Sequence, residues 1–215
     1  MIDNNIIEIS AIDSKAKHFT DILISNCEYV NAIVSQSKFL GSGAYGHAYQ
    51  TPDNKTFKMS IDWGELEMYE NIRNMKFNYV CDIYSIKKVV LENYKSSYPF
   101  FAFIIMKEFI HRVDVGENKR FIDTMEDFLD YARDEGRELN NIFFLEDDYV
   151  ISDCVDYLES CDFQDHYIRM IEEKEYILSD IYTIQEFAPY PDLDIHAGNF
   201  GFMEDGTFKL FDISA

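Results

Sequence analysis

The 215 residues predict an α+β chain built as a small β-rich lobe followed by a helical lobe. Three observations carry this. Between Phe39 and Phe109, short apolar or alternating runs recur, separated by Gly-rich and Pro/Asp/Asn turns, with one helical pattern among them. From Asp114 to Glu186 the pattern turns helical and acidic. The chain then returns to a strand, turn and strand in "NFGFMEDGTFKLF". The expected domains are residues 1–108 and 109–215, with a cleft between them.

The first 38 residues mix an extended start with a helix over Lys15 to Val34, whose apolar side carries Phe19, Ile22, Leu23 and Ile24. "FLGSGAYGHAYQTPDNKTFKMSID" reads as strand, Gly-rich turn, strand, a turn at "TPDN", and strand. "WGELEMYENIRNM" places Leu66, Tyr69, Ile72 and Met75 near helical spacing. "CDIYSIKKVVLEN" and "YPFFAFIIMKEF" are two further strands, the second apolar enough to be buried. The first lobe thus has five antiparallel strands and one helix beside the N-terminal one. Helices follow over Asn118–Asp134, Asp147–Ser160 and Asp165–Glu186, the last with a stripe of Ile168, Ile171, Ile177, Leu178 and Ile181. Two prolines in "APYPD" stop the helix, and Asp205-Gly206 suits a hairpin turn.

Composition narrows the function classes. The 18 Phe and 15 Tyr supply a core, and the net charge is −21. Between Asp114 and Glu186 there are 22 acidic and 6 basic residues, a net of −16. Such a surface repels nucleic-acid backbones and anionic membranes, so neither is an expected partner. A basic protein partner suits it, as does simple solvation of charged helix faces. Cys27, Cys81, Cys154 and Cys161 form no CxxC pair and have no His at zinc spacing, so they read as free thiols in a reducing cytoplasm. No apolar run approaches membrane-spanning length, and "MIDNNIIEIS" is not a signal peptide.

"GSGAYG", Gly41 to Gly46, is a GxGxxG pattern shared by dinucleotide folds, nucleotide kinases and plain hairpins. A dinucleotide fingerprint needs a helix directly after it, whereas "HAYQT" is strand-like. A Gly-rich hairpin lets backbone N–H groups approach phosphates because no Cβ intervenes. Lys58, on the strand after the hairpin, is either a solvated edge residue or a phosphate ligand in need of a carboxylate. Glu65 supplies one: Met68, Tyr69 and Ile72 follow at +3, +4 and +7, which turns Glu65 inward, while Glu67 and Glu70 are less well placed. Near the end, Asp194 precedes Asn199 by five positions and Asp212 by eighteen. Asn199 and Asp212 offer the hard oxygens that Mg²⁺ prefers, and Asp194 is placed to accept a hydroxyl proton.

In this order the parts resemble the protein-kinase-like superfamily, which spans eukaryotic-type protein kinases and the aminoglycoside and choline phosphotransferases. The resemblance covers about Phe39 to Ser214 and implies a two-lobed kinase-like fold with a reduced helical lobe. It implies Gly41, Ser42, Gly43 and Gly46 as the phosphate loop, Lys58 on the ATP phosphates and Glu65 as its partner. It further implies Asp194 as catalytic base, Asn199 and Asp212 as Mg²⁺ ligands, and backbone groups of Lys107, Glu108 and Phe109 in "IIMKEF" as a hinge for adenine. Asp192 stands where the family carries His, Ile213-Ser214 follows Asp212 in place of Phe-Gly, and His196 is the choice of the small-molecule enzymes. The family continues well past the metal Asp, so a minimal member is expected. Its acceptor site then comes from the acidic helices, from a folded partner, or from residues of a longer chain. The activity implied is transfer of the γ-phosphoryl group to a hydroxyl, on a protein Ser or Thr ahead of a small molecule. The alternative is a catalytically silent, kinase-shaped binding or inhibitor protein acting through its acidic surface.

Overall fold

The computed structural model describes residues 6–9, 18–92, 100–112, 119–125, 127, 148–161, 165–187 and 199–212. It is a mixed α+β chain whose contacts divide it into two units, Met1–Lys76 with Asp82–Phe109, and Phe77–Cys81 with Ile110–Ala215.

In the first unit the strands are β1 (Ile6–Ile9), β2 (Lys38–Ser42), β3 (Gly46–Gln50), β4 (Lys55–Ser60), β5 (Ile83–Leu91) and β6 (Phe100–Glu108). They form one sheet in the order β1-β5-β6-β4-β3-β2, antiparallel except for the β1–β5 pair. Six strands therefore replace the expected five. The extended start pairs along its whole length with β5, from Ile6↔Lys88 to Ile9↔Leu91, which carries Ile7 and Ile9 to the core face. The expected turn at "TPDN" closes β3 onto β4: the Thr51 N–H donates to the Lys55 oxygen at 2.8 Å, and Asn54 takes a left-handed φ of 57°.

The period of two sorts each strand between two faces. Tyr49, Phe57, Met59, Val89, Leu91, Ala102 and Ile104 face one way, into a core shared with helices α1 (Phe19–Asn26) and α2 (Glu28–Val34). The expected single helix over Lys15 to Val34 is broken at Cys27, whose backbone is extended, while residues 15–17 lie outside the described residues. The Asn26 amide donates to the Ile22 carbonyl at 2.9 Å, ending α1 so that Ile22, Leu23 and Val30 can all reach that core. The opposite face carries Lys58, Ser60 and Lys107, each bonded to helix α3 (Trp63–Ile72). The sheet is thus covered on both sides, which is why β6 is so apolar.

The second unit holds helical residues 119–125 (α4), α5 (Asp148–Ser160), α6 (Asp165–Glu172) and α7 (Lys174–Gln185). Its sheet is β7 (His111–Arg112), β8 (Phe200–Phe202) and β9 (Phe208–Leu210), in that order and antiparallel. The expected helix over Asp165–Glu186 is interrupted at Glu173, which lets Tyr167, Met170 and Ile171 of α6 and Ile177, Ile181 and Ile184 of α7 all be buried. Phe121, Tyr167, Phe202 and Phe208 form a chain of ring contacts beneath the small sheet. The segment Phe77–Cys81 joins this unit, bridging Val80 to Leu210 and donating from the Tyr79 N–H to Asp180 at 2.8 Å. Among the described residues, no helix is long and apolar enough to cross a membrane.

Candidate functional site

Each unit contains one part of the constellation. In the first, Gly41 and Ser42 end β2, opposite Ala48 and His47, with a register irregularity just before Gly41. The turn closes through the Gly43 N–H, which donates to the Gly46 oxygen at 2.9 Å, while the Tyr45 oxygen accepts from the Ile61 N–H at 3.0 Å. The two inner glycines differ in purpose. A Cβ on Gly43 would have nothing within 4 Å, so the space above it is open for an approaching anion. A Cβ on Gly46 would sit 1.9 Å from the Met59 oxygen, so Gly46 is glycine because β4 passes against it. Tyr45 stands exposed at the tip.

Lys58 lies on β4, inside the sheet between β3 and β6, and not on an edge. Its Nζ donates to Glu65 Oε1 at 2.6 Å. The Ser60 hydroxyl donates to Glu65 Oε2 at 2.9 Å, so both oxygens of a carboxylate only 1 % exposed are engaged. Such burial is tolerable only with this degree of satisfaction. Local sequence makes the pair possible. Asp62 caps α3, its Oδ1 accepting from the Gly64 and Glu65 N–H groups at 2.9 and 3.2 Å, which starts the helix where Glu65 turns inward. Glu67 is exposed, and Glu70 pairs instead with Lys88 at 3.1 Å. Ser60 was not anticipated from the sequence; its signal is the two-residue spacing from Lys58, which places both on one strand face.

The hinge residues close β6. Lys107 is paired with Thr56 of β4 and with Ile83 of β5, inside the sheet. Its side chain is buried and its Nζ donates to the Tyr69 hydroxyl at 2.8 Å, a link that sequence reasoning missed. The Glu108 N–H already donates to the Asp82 oxygen at 2.9 Å, and the Glu108 carboxylate accepts the Asp82 N–H at 3.2 Å. That amide is therefore engaged within the fold. Phe109 follows the strand and is buried.

In the second unit Asn199 and Asp212 flank the β8–β9 hairpin at its open end. The Asn199 carbonyl accepts from the Phe211 N–H at 2.9 Å and the Asp212 N–H at 3.4 Å, which holds the two residues side by side. The hairpin turns at Asp205-Gly206 as expected, with Gly206 at φ 83° and Asp205 Oδ1 accepting the Thr207 N–H at 2.9 Å. Gly201 permits β7 to lie close, since a Cβ there would stand 2.0 Å from the His111 oxygen. An amide oxygen and a carboxylate at adjacent positions are a donor set that suits Mg²⁺. No group of three or more His, Cys, Asp or Glu able to hold a metal occurs among the described residues. Asp194, with Asp192 and His196, lies outside the described residues.

No protein-family profile matches the chain, and no curated protein matches it in sequence.

Proposed function

We propose that this chain is a phosphotransferase of protein-kinase-like, two-lobed architecture, moving the γ-phosphoryl group of ATP to a hydroxyl with Mg²⁺. A protein Ser or Thr is the favoured acceptor, because the acidic helices suit a basic macromolecule better than a small one. The observation that carries the reading is the buried Lys58–Glu65 pair on the strand that follows a Gly-rich hairpin. A lysine this buried ordinarily takes a carboxylate to balance its charge. This one also follows a turn whose Gly43 is open, keeps its side chain 16 % exposed, and has its direction fixed by the carboxylate, as presenting an ammonium to phosphates requires.

In this reading the open side of Gly43 admits phosphate oxygens to the turn, and Lys58 holds the α- and β-phosphates. Asn199 and Asp212 hold Mg²⁺, which supplies charge neutralisation on the phosphates when bound. Asp194 accepts or orients the proton of the acceptor hydroxyl. Adenine reading falls to groups other than the Glu108 N–H, which Asp82 occupies.

The test is transfer of labelled γ-phosphate from Mg-ATP by purified protein, alone and in lysate. Wild type is expected to label itself or a lysate protein, and Asp194→Ala and Lys58→Met to label nothing. Mg-ATP raising the melting temperature without any labelling would favour the silent binding protein, and neither effect would end the kinase reading. The silent alternative draws on α7, where Tyr176, Tyr182 and Glu175 are exposed, with Glu172 at the end of α6 and Glu186 just past α7 also exposed.

A further inference from the structure

We propose that Lys107 is a positioning residue which holds α3, and with it Glu65, in register with Lys58. The catalytic meaning of this rests on the phosphotransferase reading above; the structural device stands apart from it. Lys58 and Lys107 belong to adjacent strands, with Lys58 opposite Ile105 and Lys107 two residues further along β6. The two-residue period sends both side chains to the same face of the sheet. On α3, Glu65 and Tyr69 are four residues apart and so occupy one face, a turn apart. Lys58 donates to Glu65 at 2.6 Å and Lys107 donates to Tyr69 at 2.8 Å. Two strands thus each send an ammonium to one helix, and the helix meets each with an acceptor at a one-turn interval.

The burial of Lys107 gives this second link its strength. The residue is 2 % exposed, and Tyr69 is fully buried. Taking away the Tyr69 oxygen removes a hydrogen-bond acceptor from a buried donor at a place where water cannot replace it. Beside the Lys58 and Ser60 bonds to Glu65 and the more exposed Glu70–Lys88 pair, Lys107 adds a buried anchor one turn along α3. The helix cannot rotate about Glu65 without breaking it. Glu65 is thereby held facing Lys58 by bonds within the first unit.

Hydrogen exchange of the full chain, read on peptides covering Trp63–Ile72, β4 and β6, tests this in Tyr69→Phe, Lys107→Met, Lys107→Arg and the Tyr69→Phe/Lys107→Met double variant. Tyr69→Phe removes one oxygen and little volume, so it keeps the question answerable if the lysine variants fold poorly. Exchange in α3 is expected to quicken about tenfold in Tyr69→Phe and in Lys107→Met, the order of one hydrogen bond to a charged group, with β4 and β6 unchanged. The double variant should be no worse than the larger single one, because both delete the same link. Lys107→Arg should recover part of the protection, and labelled-phosphate transfer should fall across the series in step with α3 exchange. Unchanged α3 exchange in Tyr69→Phe and Lys107→Met alike would overturn the proposal. So would an equal rise in α3, β4 and β6, which reports lost global stability and no positioning. Failure of the phosphotransferase reading would show separately, as wild type that transfers nothing while the exchange pattern still decides the clamp.

Discussion

Substituting Gly46 by Ala would drive a methyl into the Met59 carbonyl, because a separation of 1.9 Å leaves no room unless the β3–β4 pair parts. A cost of about 2–3 kcal/mol is expected, as for other overpacked sites. Gly43→Ala meets nothing within 4 Å and should stay within about 0.5 kcal/mol of wild type in urea unfolding. Under the kinase reading it should nonetheless weaken ATP binding, since the methyl enters the phosphate's approach. One pair of glycines in one motif thus separates a packing role from a binding role. Lys58→Met leaves Glu65 buried with Ser60 as a remaining donor, and a loss of about 3 kcal/mol is expected, the low end for a broken buried pair. Adding Glu65→Gln should restore part of that loss, because the uncompensated charge goes with it. Equal stability of Lys58→Met and wild type would show that the pair contributes nothing to holding α3. The inward direction of Glu65 was legible in the helical spacing of "GELEMYENI", as were the strand setting of Lys58 and the turn at Asp205-Gly206. Ser60 and Lys107 were not, because a polar residue on a strand carries no local mark of the acceptor it will find.

Helices α1 and α2 have no counterpart in the motif, yet they pack against one face of the sheet, and His47 is where β3 meets them. Its ring stacks on His18, with centroids 5.1 Å apart and planes 7° apart, and Phe39 meets it edge-on at 5.7 Å. His18 also caps α1, its Nδ1 accepting weakly from the Thr20 N–H at 3.5 Å. Burial, and then the neighbouring His18, hold His47 below the ordinary imidazole range, with Asp21 pulling the other way. In the unfolded chain the ring regains its ordinary affinity, so the unfolded state binds more protons in mild acid. The contribution of His47 is therefore present at neutral pH and lost as pH falls through its lowered pKa. The denaturation midpoint should decline as pH falls below the ordinary imidazole range, and His47→Gln should flatten that slope. An unaltered slope in the variant would remove His47 from the account. The breaks at Cys27 and Glu173 belong here too. Apolar spacing runs straight through both positions, so a period count joins the helices, and only the need to aim both halves at one core separates them.

Among the described residues, the segment Phe77–Cys81 makes a long-range tie within the second unit, reaching Glu173, α7 and β9. Tyr79 donates its hydroxyl to Glu173, at the α6–α7 break, at 2.9 Å, and its N–H to Asp180 of α7. Desolvation first, and then the bond to Glu173, push Tyr79 up to about 12. The folded state favours the protonated phenol, so this contribution is complete below the unfolded value near 10 and disappears as pH rises toward about 12. Tyr79→Phe should cost about 1.5–3 kcal/mol at neutral pH, as expected for a bond to a charged group, and should abolish the alkaline step. Tyrosinate absorbance followed with the unfolding signal checks both, and an unchanged alkaline transition in the variant would assign the step elsewhere.

The α+β character, the strands β2 to β6, the helix bearing Glu65 and the closing hairpin all follow from periodicity and turn chemistry, which are local properties of the chain. The sixth strand, the two helix breaks, the use of the Glu108 N–H by Asp82, and the Lys107–Tyr69 bond were decided only on folding. Their partners are distant in sequence: 26 residues for Glu108 and Asp82, 38 for Lys107 and Tyr69, 101 for Tyr79 and Asp180. A period reports which side of an element is apolar. Which buried donor meets which acceptor depends on how the faces are stacked, and that is a property of the tertiary structure alone.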